Sequence, residues 1–305
     1  VFLPNIMILY LFISFMEDSG YLARAAFIMD RVMHRIGVHG KSFIPLIMGF
    51  GCNVPAIMAC RTIESRSSRL ITILITPFMS CSARIPIYLL LAGTFFAADA
   101  GTVMLGLYAL GIVLAVVTAR LMRRFLFPVD ETPFVMELPP YRLPTWKTTF
   151  SHMWDKCAQY LKKMGGMILI ASVIVWFLSY YPRTDAAAGT EAHYENSSLG
   201  RLGKGCEPVF SPLGFNWNPT PAKAFRTAEE EEADSLSQRL LASGDFTTAS
   251  ALAFLVFILL YMPCIATVAA IGAEAGWKLA AASVVYNTTL AWFVAWIAYR
   301  IALIF

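Results

Sequence analysis

Apolar segments long enough to enter a bilayer, yet cut by proline and glycine, dominate this chain. Proline removes a backbone donor and blocks the carbonyl four residues earlier. In hydrocarbon no water satisfies a freed backbone group, so broken helix is tolerated only under protein or beside a water-filled cavity. A chain that uses the device repeatedly must place its broken helices inside a bundle. Composition agrees: residues are 58% hydrophobic and 14% charged, against about 25% charged in soluble domains. The fold class expected is all-α, a polytopic transmembrane bundle with proline-broken or re-entrant helices.

Residues 1–42 read as a transmembrane helix, Val1–Met16, plus an interfacial amphipathic helix over 20–40 that carries Arg24, Arg31, Arg35 and Lys41. The chain opens inside an apolar run with no charged region before it, so it is expected to start within a span. Residues 43–96 form a broken segment. Phe43–Ala59 is too short and interrupted to span as one helix, Arg61–Arg69 is a charged connector, and Leu70–Phe96 is a span cut at Pro77 and Pro86. Residues 97–164 hold a span, Gly101–Ala119, ending at Arg120, Arg123 and Arg124. A Pro-rich connector and a basic amphipathic stretch with Lys156, Lys162 and Lys163 follow. Residues 165–181 are a span, 182–245 a polar loop with the acidic run Glu229–Glu232, and 246–305 the last two spans. Lys and Arg concentrate in 61–69 and 120–163, which the positive-inside rule puts in the cytoplasm. The basic residues thus report orientation, and nucleic acid is not a partner.

Three cysteines stand at the breaks. Gly49, Gly51 and Pro55 bracket Cys52, Pro77 and Pro86 bracket Cys81, and Pro263 precedes Cys264. A lone membrane cysteine usually packs as a small hydrophobe. Beside freed carbonyls it can instead ligate a cation, as in transporters with discontinuous helices, and thiol ligands favour transition metals over Mg²⁺ or Ca²⁺. Asn53, Ser80, Ser82 and Thr267 offer neutral oxygens nearby, or cap half-helices. Arg84 either belongs to the pathway or hydrogen-bonds carbonyls freed by Pro86, and its i, i+3 spacing would place it on the helix face of Cys81. Glu17 and Asp18 end the first apolar run, where two carboxylates concentrate divalent cations. Alternatively Asp18 or Ser19 caps the next helix. His34, His39, His152 and His193 are scattered and are assigned to no metal. Cys60, Cys157 and Cys206 lack the proline setting and are left structural. No Walker-A, GxSxG or HExxH motif occurs, so nothing in the sequence supports catalysis.

Several runs carry a family resemblance: Met16-Glu17-Asp18-Ser19-Gly20-Tyr21, Phe50-Gly51-Cys52-Asn53-Val54-Pro55-Ala56, Ser80-Cys81-Ser82-Ala83-Arg84-Ile85-Pro86 and Tyr261-Met262-Pro263-Cys264. They resemble ferrous iron transport protein B. The resemblance is nearly unbroken over 1–96, good over 246–300, and local at Pro212–Trp217. It implies a multi-pass importer of Fe²⁺ in the bacterial inner membrane, built on two inverted gate repeats. The first gate would cover 43–96 and the second would lie between Pro212 and Ile271. In the family the thiols matching Cys52, Cys81 and Cys264 are proposed to line the iron path. The implied partners are the lipid bilayer, Fe²⁺ as cargo, a GTP-binding domain of the same protein, a small accessory protein of the iron transport operon, and a second copy of the chain. GTP and Mg²⁺ belong to that further domain, which this sequence does not contain. After Trp217 the family continues into an apolar helix, whereas here Asn218-Pro219-Thr220-Pro221 follows, so part of the second gate is expected to be missing.

Three other readings compete. A gate-fold carrier of nucleosides or another organic solute would use Asn53 and Phe50 and leave the thiols idle. A thiol redox protein would need two cysteines within about 7 Å between Cα atoms. A purely structural membrane partner would leave the proline-flanked thiols without a purpose.

Overall fold

The computed structural model describes residues 2–126, 144–180, 207–214, 247–262 and 264–304, with the isolated positions 201 and 205. The Pro-rich connector from 128 to 143, His193, Cys206, Trp217, the acidic run Glu229–Glu232 and Pro263 lie outside the described residues. Every regular element described is helical. They are α1 (Phe2–Asp18), α2 (Tyr21–Ile36), α3 (Phe43–Gly51), α4 (Asn53–Ala59), α5 (Arg66–Ile75), α6 (Ile85–Phe95), α7 (Ala100–Phe125), α8 (Trp146–Tyr180), α9 (Thr248–Leu260), α10 (Ile265–Ala275) and α11 (Trp277–Ala302).

Among the described residues, four stretches are long and apolar enough to cross a membrane: Arg66–Phe95, Ala100–Phe125, Thr248–Ala275 and Trp277–Ala302. The first and third each contain a break, and 61% and 59% of their apolar windows are buried in protein. The two unbroken helices, α7 and α11, are only 17% and 28% buried. That partition follows from the backbone: an unbroken helix satisfies itself and can face lipid, while a broken one must be covered.

The chain divides into two compact units. The first comprises residues 1–83, 109–168 and 264–285. In it α1 and α2 meet at a tight turn whose Gly20 has φ 76°, a left-handed conformation that favours glycine. Gly20 holds the N-cap position, Asp18 turns to α8, and the Ser19 hydroxyl accepts from the Tyr21 N–H at 3.4 Å, serving the first free donor of α2. The same hydroxyl donates back to the Met16 carbonyl. α2 ends at Gly37, also left-handed, whose N–H donates to the Met33 and His34 carbonyls. The Arg120 guanidinium satisfies the Arg35 carbonyl at 2.6 Å. α5 starts within the expected charged connector, because the Ser65 hydroxyl accepts from the Ser68 N–H and caps it. α4 and α10 pack on each other.

The second unit comprises residues 84–108, 169–263 and 286–305, and in it α6 packs on α9. Thr247 opens α9 with a capping box, its side chain and that of Ser250 satisfying each other's backbone N–H groups. Gly214, at φ 75°, ends the short turn Ser211–Leu213, and an added Cβ there would lie 2.8 Å from the Tyr299 ring.

One boundary differs from expectation. The basic stretch and the span at 165–181 form one continuous helix, α8, of 35 residues. The pair Gly165-Gly166 marks no break: two glycines weaken a helix, but without a proline the ladder continues.

Candidate functional site

The expected breaks fall at the expected cysteines. α3 stops at Gly51, Cys52 is extended (φ −155°, ψ 129°), and α4 restarts at Asn53. The glycines allow close approach. A Cβ on Gly49 would sit 3.0 Å from Met79 Cβ, and one on Gly51 2.6 Å from Leu9 Cδ1. Pro55 lies in the first turn of α4, where a missing N–H is tolerated. The second span stops at Ile75, passes a short 3-10 turn containing Pro77, leaves helix at Met79–Cys81, and resumes through a 3-10 turn, Ser82–Arg84, into α6 with Pro86 in its first turn. The third break separates α9 from α10, with Cys264 immediately before Ile265.

Two carbonyls lose their helical donor for the same reason. In a continuous helix Gly51 O would accept from residue 55 and Leu259 O from residue 263, and both are prolines. The Ser82 hydroxyl donates to Gly51 O at 2.9 Å. In the second unit the Arg84 guanidinium donates to Leu259 O at 2.6 Å and to Tyr261 O at 3.0 Å. Arg84 is thus buried with its fork on the end of α9. The carbonyls it holds there are not those freed by Pro86, and it shares no helix face with Cys81, which lies outside any helix.

The first unit brings the three thiols into one neighbourhood. Cys81 and Cys264 both lie within electrostatic reach of Cys52. Cys52 and Cys81 are half-buried and Cys264 is exposed. The Tyr160 phenol has Cys52 and Cys264 in the same range, and its ring meets Tyr10 edge-on at 6.4 Å. Among the described residues no group of three His, Cys, Asp or Glu side chains is arranged to hold a metal ion. The thiols therefore form no closed cage. Asn53, Ser80 and Thr267 are buried beside these breaks, and Ser82 is taken up by Gly51 O. Cys60 is buried and donates to the Ala56 carbonyl, and Cys157 is buried, as structural cysteines would be.

Glu17 and Asp18 face the basic half of α8. Glu17 pairs with Lys156. Asp18 accepts from Thr149 Oγ1 at 3.1 Å and lies 3.0 Å from His152 Nδ1. Glu17 and Lys156 also line a cavity of about 510 Å³ whose wall includes Tyr10, Met48, Pro55 and Arg61. Arg61 pairs with Glu274, and Lys41, also on the wall, pairs with Glu64 at 2.7 Å. No sequence signal marked Tyr10, Tyr160 or Glu274, and Lys156 stood out only as one charge of a basic amphipathic stretch. Tyr10 sits in a plain apolar run, and the other contacts join residues more than a hundred positions apart.

Covered, proline-broken spans with thiols at the breaks define a class: polytopic helical membrane proteins built on discontinuous helices. Comparison with known proteins narrows it. A family model described as "Nucleoside recognition", the Gate model, matches residues 1–95 and 161–278. The model for the ferrous iron transport protein B C terminus matches residues 104–156. A Porphyromonas gingivalis protein, an Fe(2+) transport protein A/Fe(2+) transporter FeoB fusion, is 51% identical across the whole chain, which covers 43% of its length. The Fe(2+) transporter FeoB of Methanocaldococcus jannaschii is 42% identical over 97% of the chain and 46% of its own length. That of Campylobacter jejuni is 39% identical over 99% and 53%. No solved structure matches. The chain belongs to the ferrous iron transport protein B family, and it spans about half the length of the curated relatives it matches.

Proposed function

We propose that this chain forms the permeation region of a ferrous iron importer in the cell inner membrane, with Fe²⁺ passing Cys52, Cys81 and Cys264 in turn. The observation that carries the reading is that three separate helix breaks each carry a thiol, with Cys81 and Cys264 within electrostatic reach of Cys52. Conduction requires binding weak or multi-site enough to release the ion. Thiols that are neighbours without forming a cage suit successive exchange better than storage. Asn53, Ser80 and Ser82 add oxygens along the same stretch, while Arg84 holds the end of α9.

The positive-inside rule puts residues 120–163 in the cytoplasm. Glu17 and Asp18 pair with Lys156 and His152 of that stretch, so on this reading they stand at the cytoplasmic exit and not at the outer face where the ion is collected. The cavity beside them, reaching from Glu17 to Pro55, would be the exit vestibule. GTP and Mg²⁺ would act through a further domain, in keeping with the greater length of the relatives. The relative fused to Fe(2+) transport protein A suggests an accessory protein of that kind as a partner.

The Gate model's description also favours a second reading, a carrier of nucleosides. Uptake of radiolabelled Fe²⁺ by the full-length transporter in cells or vesicles separates the two. The iron reading expects Zn²⁺ or Co²⁺ to compete and nucleosides not to, and Cys52→Ser, Cys81→Ser and Cys264→Ser to slow uptake. Normal uptake in all three variants would refute the thiol path.

A further inference from the structure

We infer that the side-chain oxygen of Asn53 is the selectivity element of this path, a hard neutral ligand set among soft ones that favours Fe²⁺ over Zn²⁺. The inference rests on the thiol-lined path proposed above and assigns one residue a separate task within it. Asn53 opens α4 directly after the extended Cys52, and it is buried, with relative exposure of 5%. Its Oδ1 is buried and has no hydrogen-bond partner among the described residues. Buried polar atoms are nearly always paired, so an exception at a proposed pathway calls for a ligand.

The direction of that oxygen is informative. It lies 3.5 Å from where a Cβ on Gly49 would stand, a position itself 3.0 Å from Met79 Cβ. Asn53 therefore reaches back across the break, into the notch that Gly49 leaves open, where the Cys52 break meets the segment leading from Met79 to Cys81. An acceptor there meets whatever passes between the two breaks: a partly dehydrated cation, or the water it carries. A pathway of thiols alone would bind Zn²⁺ more tightly than Fe²⁺, following the divalent affinity order and the preference of sulfur for softer ions. An amide oxygen in the same set lowers that bias without adding a negative charge that would hold the ion.

The test uses the full-length transporter in vesicles with radiolabelled Fe²⁺. It compares wild type, Asn53→Leu, Asn53→Asp and Cys52→Ser, and measures how much unlabelled Zn²⁺ or Mn²⁺ halves uptake. Asn53→Leu keeps the volume and removes the oxygen. Its half-blocking Zn²⁺ concentration, relative to the Fe²⁺ needed, should fall roughly tenfold, the lower end of what a metal-supporting group usually controls. Asn53→Asp keeps an oxygen in place and hardens it, so Mn²⁺ should compete several-fold better. That second variant keeps the test decisive if Asn53→Leu does not reach the membrane. Unchanged Zn²⁺ and Mn²⁺ ratios overturn the inference, as does an equal loss for all metals, which is what a purely structural asparagine would give. If the ratios stay fixed while Cys52→Ser is impaired, only the selectivity role fails. If Cys52→Ser is also normal, the thiol path fails with it. Blockade by nucleosides that disappears in Asn53→Leu would identify the oxygen as an acceptor for an organic solute and overturn the inference.

Discussion

Replacing Arg84 with Met is the sharpest test of how the second unit holds its broken helix. The side chains are similar in length, and Met removes every donor. Two carbonyls, Leu259 O and Tyr261 O, then lose the partners that stand 2.6 and 3.0 Å away. A buried acceptor left unsatisfied costs about 1–3 kcal/mol, and the part-buried Tyr261 O adds less than the buried Leu259 O, so the pair costs about 2–4 kcal/mol. The variant no longer buries a guanidinium, which recovers part of a desolvation cost of several kcal/mol and pulls the net toward the low end, about 2 kcal/mol. The loss is local, because it acts on the last turn of α9. An opening easier by about 2 kcal/mol speeds exchange roughly thirtyfold. Hydrogen exchange on the detergent-solubilised transporter should show that increase at the amides of Leu260 and Tyr261, with the first turns of α9 unaffected. Arg84→Lys should fall between, since an ammonium lacks the planar fork that reaches two acceptors at once. Exchange at Leu260 and Tyr261 equal to wild type in Arg84→Met would refute the claim that the guanidinium secures this helix end.

Two further outcomes are expected. Ser82→Ala removes a neutral hydrogen bond to Gly51 O and should cost only about 0.5–1.5 kcal/mol, less than Arg84→Met, with the loosening confined to residues 49–53 when read by exchange or by alkylation of Cys52. The buried His39 accepts from the Lys41 N–H, and burial, followed by the nearby Lys41 charge, holds its imidazole below the usual 6.5. Asp30, His34 and Glu64 also face it. A folded-state value below the unfolded one stabilises above the unfolded value and is lost as pH falls through it. Thermal stability should therefore decline below about pH 6.5, and His39→Asn should flatten that decline in melts across the range.

The breaks were legible because they are made by local chemistry. Pro55, Pro77 and Pro86 each remove a backbone donor wherever the helix lies, and the structure stops or restarts its helices beside them. The membrane class was legible for the same kind of reason, since hydropathy is a sum over neighbours in sequence. What was not legible depends on distant partners. The carbonyls that Arg84 serves are 175 and 177 residues away, and the lysine facing Glu17 is 139 away. Nothing in the run Glu17–Gly20 distinguishes a cap from an inter-helix pair until α8 is in place. With α8 in place Asp18 turns to Thr149 and His152, and only Ser19 is left to serve the Tyr21 N–H at the start of α2. The continuity of α8 through Gly165 and Gly166 was hidden because glycine weakens a helix without removing a donor, so its effect depends on length and surroundings.

The choice of donors at the breaks follows from the number of orphaned acceptors. At Gly51 one carbonyl is left over, because Cys52 N–H still returns to Met48 O and Ala56 N–H to Cys52 O. One hydroxyl suffices, and Ser82 supplies it without a charge near the thiols. At the end of α9 two carbonyls two residues apart need donors, a spacing that a planar guanidinium spans and a hydroxyl cannot. A fixed positive charge would ordinarily repel a cation close by. Here the guanidinium directs it at two carbonyl dipoles, where charge-assisted bonds are about twice as strong as neutral ones. The buried Arg84 thus serves two backbone acceptors together, which no single hydroxyl in its place could do.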